Sequence, residues 1–266
     1  KKKKAKKQPN VLFISIDDMP DWISVLDGYP GVITPNFERL ARMGVNFTSA
    51  MAHIPCCNGS RTSVWTGGAA NNTGIYFNKQ KWMRARLPGA GRTIAGQLRD
   101  KGYKTIGTGK LFHGFDNVVR ESDWDEYYMP KNFHVSQGDH GVARSKWAKE
   151  HEYDGALDFG AGNLGAKLDI KVTDWAVEQI KDGFFKEDAR FMGVGLFRPH
   201  IPLVVGQSFF DLYPKDLPPP PGYWPGAETY AGNAVDREDL PARALELGNQ
   251  RFGTWLDQFD EHKDFI

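Results

Sequence analysis

The chain has 266 residues, of which 40% are hydrophobic and 25% are charged, a balance that is typical of a globular protein and excludes a disordered or fibrous one. Six of the first seven residues are lysines, and removing these six positive charges from the net charge of +1 leaves −5. We interpret residues 1–8 as a basic, disordered, solvated tail and expect no nucleic-acid partner. No apolar run approaches the roughly 18 to 20 residues that span a bilayer, so the sequence predicts no transmembrane segment.

The first half of the chain alternates predicted strands and helices. The continuous apolar run from Asn10 to Ile16 predicts a strand buried on both faces of a parallel sheet. Thr34-Pro35 and Gly44 have the residue types that begin and end a helix. The elements predicted next are a strand over Val45–Ala50, helices beginning at Ser60 and covering Thr93–Arg99, and a strand over Tyr103–Thr108.

The second half contains longer irregular stretches. Residues Asp116–Gly165 lack a sustained period and predict a long excursion over the edge of the sheet. A helix over Val172–Ile180 and a strand over Phe191–Phe197 follow, and the proline-dense segment Leu217–Pro225 predicts a loop. The alternation predicts one doubly wound α/β domain over residues 9–266, with a mostly parallel sheet and helices on both faces.

Charged residues and histidines follow three of the predicted strands. In open parallel sheets, ligands bind beyond the carboxyl ends of the strands, so we expect these side chains to lie at one edge. They are Asp17, Asp18, Lys110, His113, Arg198 and His200. The adjacent carboxylates suit a hard divalent cation, although a turn or a helix N-cap also explains an Asp-Asp pair. Lys110 with His113 fits an anion clamp and a proton donor, and the alternative is a surface pair.

Cys56 and Cys57 are the two cysteines of the chain, and their adjacency excludes a disulfide scaffold. We expect Cys57 in the first turn of a helix, where unpaired N–H groups and the helix dipole stabilise an anion. Arg61 lies one turn further on the same face and can pair with that anion. The alternative is a buried cysteine pair at a helix start.

Together these residues resemble the sulfatases of the alkaline phosphatase superfamily. The family signature is Cys-x-Pro-x-Arg followed by Thr-Gly, and this chain has Cys57-x-Gly59-x-Arg61 followed by Thr66-Gly67. The flanks are most similar to the iduronate-2-sulfatase-like branch. Motifs in the family's order are Pro9-Asn10-Val11-Leu12-Phe13 with Asp17-Asp18, Thr34-Pro35-Asn36, Gly44-Val45-Asn46-Phe47-Thr48, Thr73-Gly74-Ile75-Tyr76, Gly109-Lys110-Leu111-Phe112-His113 and Arg198-Pro199-His200-Ile201-Pro202.

The resemblance implies a sulfuric ester hydrolase that acts on a sulfated sugar, such as a 2-O-sulfated uronate. It implies that Cys57 is oxidised to formylglycine by the formylglycine-generating enzyme and that Asp17, Asp18 and Cys57 hold Ca²⁺. Arg61 then fixes the hydrated aldehyde, and Lys110, Arg198 and His200 bind the substrate. His113 and His200 contact the nucleophile or protonate the leaving oxygen. A periplasmic, secreted or lysosomal setting agrees with the family.

Two features depart from the family pattern. Gly59 stands where the family has proline, and the later Asp and His or Asn that complete the calcium site are not identifiable. Asp139-His140-Gly141 has the right letters but precedes the His200 motif. The resemblance therefore implies an N-terminal portion that lacks the C-terminal subdomain.

Two other functions remain open from the sequence. A phosphodiesterase or phosphonate hydrolase of the same superfamily needs the same metal, arginine and lysine. A non-catalytic relative would bind sulfated glycans without cleaving them. Lys79, Lys81, Arg84 and Arg198 are candidate contacts for an anionic substrate, and the alternative is solvated surface.

Overall fold

The computed structural model describes residues 7–85, 92–113, 120–130, 159–161, 164–200 and 203–214. Asp139-His140-Gly141 and Leu217–Pro225 lie outside the described residues. The chain divides into two compact units, the first formed by Lys1–Met19, Ser49–Gly141 and Asn163–His200, and the second by Pro20–Thr48, Val142–Gly162 and Ile201–Ile266. Within the described ranges, no helix has the length and apolar character needed to cross a membrane.

The sheet of the first unit has four strands, β1 (Val11–Ile16), β2 (Lys104–Gly109), β3 (Glu126–Tyr128) and β5 (Arg190–Leu196). Their order is β1-β5-β2-β3 and every pairing is parallel. In the second unit, β4 (Phe159–Ala161) pairs in parallel with β6 (Leu203–Val205). The predicted parallel sheet is confirmed, but β1 is not buried on both faces as its apolar run predicts. Leu12 and Ile14 are 45% and 51% exposed, because β1 is an edge strand of the described sheet.

The helices of the first unit are α2 (Cys57–Thr66), α3 (Ala70–Thr73), α4 (Ile94–Asp100) and α5 (Leu164–Lys181). Those of the second are α1 (Pro35–Met43) and α6 (Gln207–Phe210). Short 3₁₀ turns cover Ser24–Leu26, Trp82–Arg84, Glu121–Asp123 and Phe184–Lys186. Helix α1 has Pro35 at its first position and ends at Gly44, as the sequence predicts.

Apolar clusters cover both faces of the four-stranded sheet. Neighbouring residues of a strand point to opposite faces, and accordingly Phe191 joins a cluster around Trp65 of α2 whereas Met192 joins one around Val172 of α5. All four side chains are at most 1% exposed. The predicted doubly wound arrangement, with helices on both faces, is therefore confirmed for this unit.

Three local expectations differ from the structure. Val45–Ala50 forms no strand, and Val45 and Phe47 are 78% and 76% exposed, because this apolar run pairs with no strand among the described residues. Helix α5 begins at Leu164, eight residues before the predicted start. Strand β3 lies inside the predicted excursion, since a segment of three partly polar residues carries almost no periodic signal.

Candidate active site

The carboxyl ends of β1, β2 and β5 meet at one edge of the first unit. The backbone N–H of Asp17 donates to the carbonyl of Leu196 (3.2 Å), and that of Lys110 donates to the carbonyl of Gly195 (2.8 Å). Gly109 has φ +72°, and a Cβ there would lie 2.1 Å from the Gly195 oxygen, so only glycine permits this approach. The close approach of β2 to β5 brings Lys110 beside Asp17.

Asp17 is a buried carboxylate that contacts two cations. Its Oδ1 accepts from Nη2 of Arg61 at 2.5 Å, and its Oδ2 pairs with Nζ of Lys110. The side chains of Asp17 and Lys110 are 5% exposed and that of Arg61 is 8% exposed. Burial raises the pKa of Asp17, but Arg61 and Lys110 together outweigh burial and hold the pKa below its ordinary value.

Further contacts fix the positions of both cations. Nη1 of Arg61 donates to the backbone carbonyl of Lys110 at 2.5 Å. The Lys110 ammonium lies 4.2 Å from the ring centroid of Phe197, a cation–π contact. Burial lowers the pKa of Lys110 in spite of the Asp17 charge. The sequence predicts that Arg61 pairs with an anion at Cys57, whereas in the structure its carboxylate partner is Asp17.

Four side chains with metal-ligand chemistry lie close together: Asp17, Asp18, Cys57 and His200 offer ligand atoms within 4.8 Å of one another. Sγ of Cys57 is 3.7 Å from Oδ1 of Asp18, and Nε2 of His200 is 3.6 Å from Oδ2 of the same residue. Asp18 has φ +52°, in the left-handed region that aspartate enters more readily than most non-glycine residues.

This donor set suits a hard cation at its carboxylates. Ca²⁺ takes oxygen ligands, which Asp17 and Asp18 supply, whereas a thiol and an imidazole are softer donors. An oxygen in place of the Cys57 sulfur would therefore fit the carboxylates better than the thiol does. His200, assigned to the nucleophile and substrate by resemblance, joins the cluster as a fourth donor.

The pKa of the Cys57 thiol is raised, whereas its position at the start of a helix predicts a lowered one. Cys57 is the first residue of α2, with Cys56 as N-cap. Burial together with the negative charges of Asp17 and Asp18 raises its pKa to about 11, outweighing Lys110 and Arg61. The neutral thiol therefore dominates at pH 7, and an unmodified Cys57 is a poor nucleophile.

His113 is a neutral imidazole in this site. Burial, reinforced by the positive charges of Lys110 and Arg61, lowers its pKa to about 4. Its Nδ1 is buried and has no hydrogen-bond partner within the part of the chain that the structure describes. At pH 7 the ring can accept a proton, but it does not carry one as imidazolium.

We expect the free energy of unfolding to fall as the pH is lowered from about 6.5 to about 4. The unfolded chain binds a proton at His113 near pH 6.5, but the folded chain binds it only near pH 4, so acid favours unfolding. Chemical denaturation at a series of pH values measures this, and a His113→Gln variant should show a shallower decline. An identical decline in the variant would contradict the assignment.

Sequence reasoning missed Asp169, which holds the segment after β5. Its two carboxylate oxygens accept from the backbone N–H groups of Phe197 and Arg198, each at 2.8 Å. The Arg198 guanidinium then donates to the carbonyl of His200 at 2.6 Å. Asp169 lies in the part of α5 before Val172, where the sequence predicts no element, so no signal indicated it.

We predict that Asp169→Asn costs about 1–3 kcal/mol of stability, because an amide supplies one acceptor oxygen and turns its NH₂ towards a backbone donor. Denaturant unfolding measures the change. Asp174→Asn, an exposed aspartate on the same helix, is the matched control and should change stability by less than about 0.5 kcal/mol. Equal effects of the two substitutions would refute the role of Asp169.

Gly59 lies in the first turn of α2 against residues that leave little room. A Cβ there would lie 2.7 Å from Cγ2 of Ile54 and 3.0 Å from the carbonyl oxygen of Ile75. A larger residue, including the proline of the family signature, therefore requires the Ile54 side chain to shift. The glycine at this position matches the local packing.

Comparison with known proteins identifies the family to which this chain is similar. Residues 9–219 match the Sulfatase family model. The chain is 29% identical over 272 residues to a sulfatase of Formosa agariphila, covering 93% of this chain and 49% of that protein. It is 28% identical over 255 residues to iduronate 2-sulfatase of Homo sapiens, covering 90% and 45%. The chain thus spans about half the length of the curated relatives it matches.

Solved structures show the same fold. A phosphonate monoester hydrolase of Agrobacterium radiobacter superposes with a TM-score of 0.54 at 21% identity, covering 80% of this chain and 45% of that one. The likeness confirms the predicted α/β fold class. The matched range 9–219 includes every strand and helix described above together with the ionic cluster around Asp17. The chain belongs to the Sulfatase family.

Proposed function

We propose that the protein hydrolyses sulfate esters of carbohydrates at the cluster around Cys57 and Asp17. One observation carries the proposal: Cys57, which begins α2, lies 3.7 Å from Asp18 and beside a buried carboxylate that already holds Arg61 and Lys110. The proximity of these side chains supports roles for Cys57 as nucleophile precursor, for the carboxylates as metal ligands and for the two cations as anion-binding groups. The family match supports a sulfate ester as the substrate that water cleaves.

The two groups implied by the family supply chemistry that the chain lacks. A formylglycine hydrate at position 57 would supply a nucleophilic oxygen, and a calcium ion held by Asp17 and Asp18 would neutralise charge on the sulfate.

The chain's own residues then orient the substrate. Lys110 and Arg61 present positive charge that is already fixed by Asp17, so little reorganisation accompanies binding of an anion. His200 reaches the cluster from a segment that Asp169 holds in place, and the Arg198 guanidinium of the same segment donates to the carbonyl of His200. We assign Arg198 and His200 to substrate binding. The neutral His113 is assigned to contact with the nucleophile, from which it can accept a proton, and His200 to contact with the nucleophile or protonation of the leaving oxygen.

A parallel assay tests the reaction class. The full-length protein, produced with the formylglycine-generating enzyme and supplied with Ca²⁺, is offered p-nitrophenyl sulfate and bis(p-nitrophenyl) phosphate. We expect faster release of p-nitrophenol from the sulfate. Faster cleavage of the phosphodiester would favour the phosphodiesterase alternative, and binding of sulfated glycan without any sulfate release would favour the non-catalytic one. Either of these two outcomes would overturn the proposal.

A further inference from the structure

A loop beside Cys57 has a backbone that is held by its own side chains. We call residues 74–81 the aromatic loop. The Oε1 of Gln80 accepts from the backbone N–H groups of Tyr76 (2.7 Å) and Phe77 (2.8 Å), and its Nε2 donates to the carbonyl of Gly74 (2.9 Å). One glutamine side chain therefore holds three backbone positions of the loop.

The aromatic loop is attached to the two residues that flank Cys57. The Oδ1 of Asn78 accepts from the backbone N–H of Asn58 (3.0 Å) and from Sγ of Cys56 (3.1 Å). The side chain of Asn58, which is 1% exposed, donates to the carbonyls of Phe77 (2.9 Å) and Gln80 (2.7 Å). These bonds fix the loop relative to the first turn of α2.

The side chains that the loop presents to solvent contrast with this buried network. Phe77 is 70% exposed and Tyr76 is 38% exposed, and their ring centroids are 6.4 Å apart. Lys79 and Lys81 are also exposed. An exposed phenylalanine on a rigid backbone keeps apolar surface in water and needs no ordering when a ligand binds.

We infer that the aromatic loop is a subsite for an anionic saccharide, in which Phe77 and Tyr76 contact the C–H face of a sugar ring and the lysines pair with its sulfate or carboxylate groups. Large aromatic surface beside exposed cations matches a ligand that has apolar C–H faces and anionic substituents. Because the loop is attached to Cys56 and Asn58, the subsite would hold a sugar that neighbours the one from which sulfate is removed. The inference rests on the proposed function for this last step.

The test separates saccharide recognition from chemistry. Binding of size-defined heparin and κ-carrageenan hexasaccharides to the full-length protein is measured by titration calorimetry for wild type and Phe77→Ala, and hydrolysis of p-nitrophenyl sulfate is measured in parallel. We expect Phe77→Ala to weaken hexasaccharide binding about tenfold and to change kcat/KM for the small aryl sulfate less than about twofold. Lys79→Ala should weaken hexasaccharide binding in a salt-dependent manner.

The control is Ile180→Ala. Ile180 is 42% exposed at the end of α5, which runs back towards the edge where the parallel strands begin, so this substitution should leave binding unchanged. Unaltered hexasaccharide binding by Phe77→Ala, equal losses on both substrates, or no binding of either hexasaccharide by wild type would overturn the inference. Hexasaccharide binding that depends on Phe77, without aryl sulfate hydrolysis, would instead overturn the proposed function and leave the subsite standing.

Discussion

Replacement of Asp17 by asparagine is expected to destabilise the protein by about 3–5 kcal/mol, since it removes the only charge that compensates two buried cations at short range within the described residues. Arg61 and Lys110 would remain buried beside a neutral amide, and the NH₂ group of that amide would face one of the two cations. Denaturant unfolding of wild type and Asp17→Asn measures the loss. We also expect sulfate hydrolysis to disappear, because the same carboxylate is a proposed calcium ligand.

A double substitution separates the charge effect from a packing effect. Lys110→Met combined with Asp17→Asn removes one of the uncompensated cations while keeping a side chain of similar length. The double variant should recover about 1 kcal/mol or more of the stability lost in Asp17→Asn. Equal stability of wild type and Asp17→Asn would refute the ionic cluster, and so would a double variant less stable than the sum of both single changes.

The second large effect is expected for Cys57→Ala. If the oxygen that attacks sulfur derives from Cys57, its removal should lower kcat for sulfate ester hydrolysis by roughly 10⁴-fold or more, as loss of a nucleophile does in other hydrolases. Stability should change little, because the one hydrogen bond of the thiol among the described residues is the long contact of 3.7 Å to Asp18. Sulfate release and unfolding are measured on the same preparation.

The neighbouring cysteine provides the matched control. Cys56→Ala removes a thiol of the same size one residue away, whose contact is with Asn78 in the aromatic loop. This variant should retain most of its activity on p-nitrophenyl sulfate. Activity that survives in Cys57→Ala, or that is lost equally in both variants, would show that Cys57 is not the nucleophile precursor.

The sequence predicts the sheet edge well because buried parallel strands leave a continuous apolar signature. The run before Asp17 and the run before Arg198 each end where a strand ends, and Pro35 with Gly44 marks the limits of α1. From these ends, the general rule for open parallel sheets suffices to bring the charged residues together.

Pairings over long distances in the chain carry no such signature. Nothing in the local pattern indicates that both Arg61 and Lys110 pair with Asp17, or that Asp169 binds the backbone after β5. The raised pKa of Cys57 has the same origin, because burial and two carboxylates from another segment outweigh the helix terminus that the sequence shows. Val45–Ala50 shows the opposite case, because this apolar run predicts a strand but pairs with none among the described residues.

The most direct test of the account is mass spectrometry of the tryptic peptide that ends at Arg61 and begins at Met43, from protein made in its native source or with the converting enzyme. The account predicts that this peptide has lost H₂S and gained one oxygen, the change from cysteine to formylglycine at position 57, and that Gly59 is therefore tolerated. An intact thiol at Cys57 in protein that hydrolyses sulfate esters would contradict it.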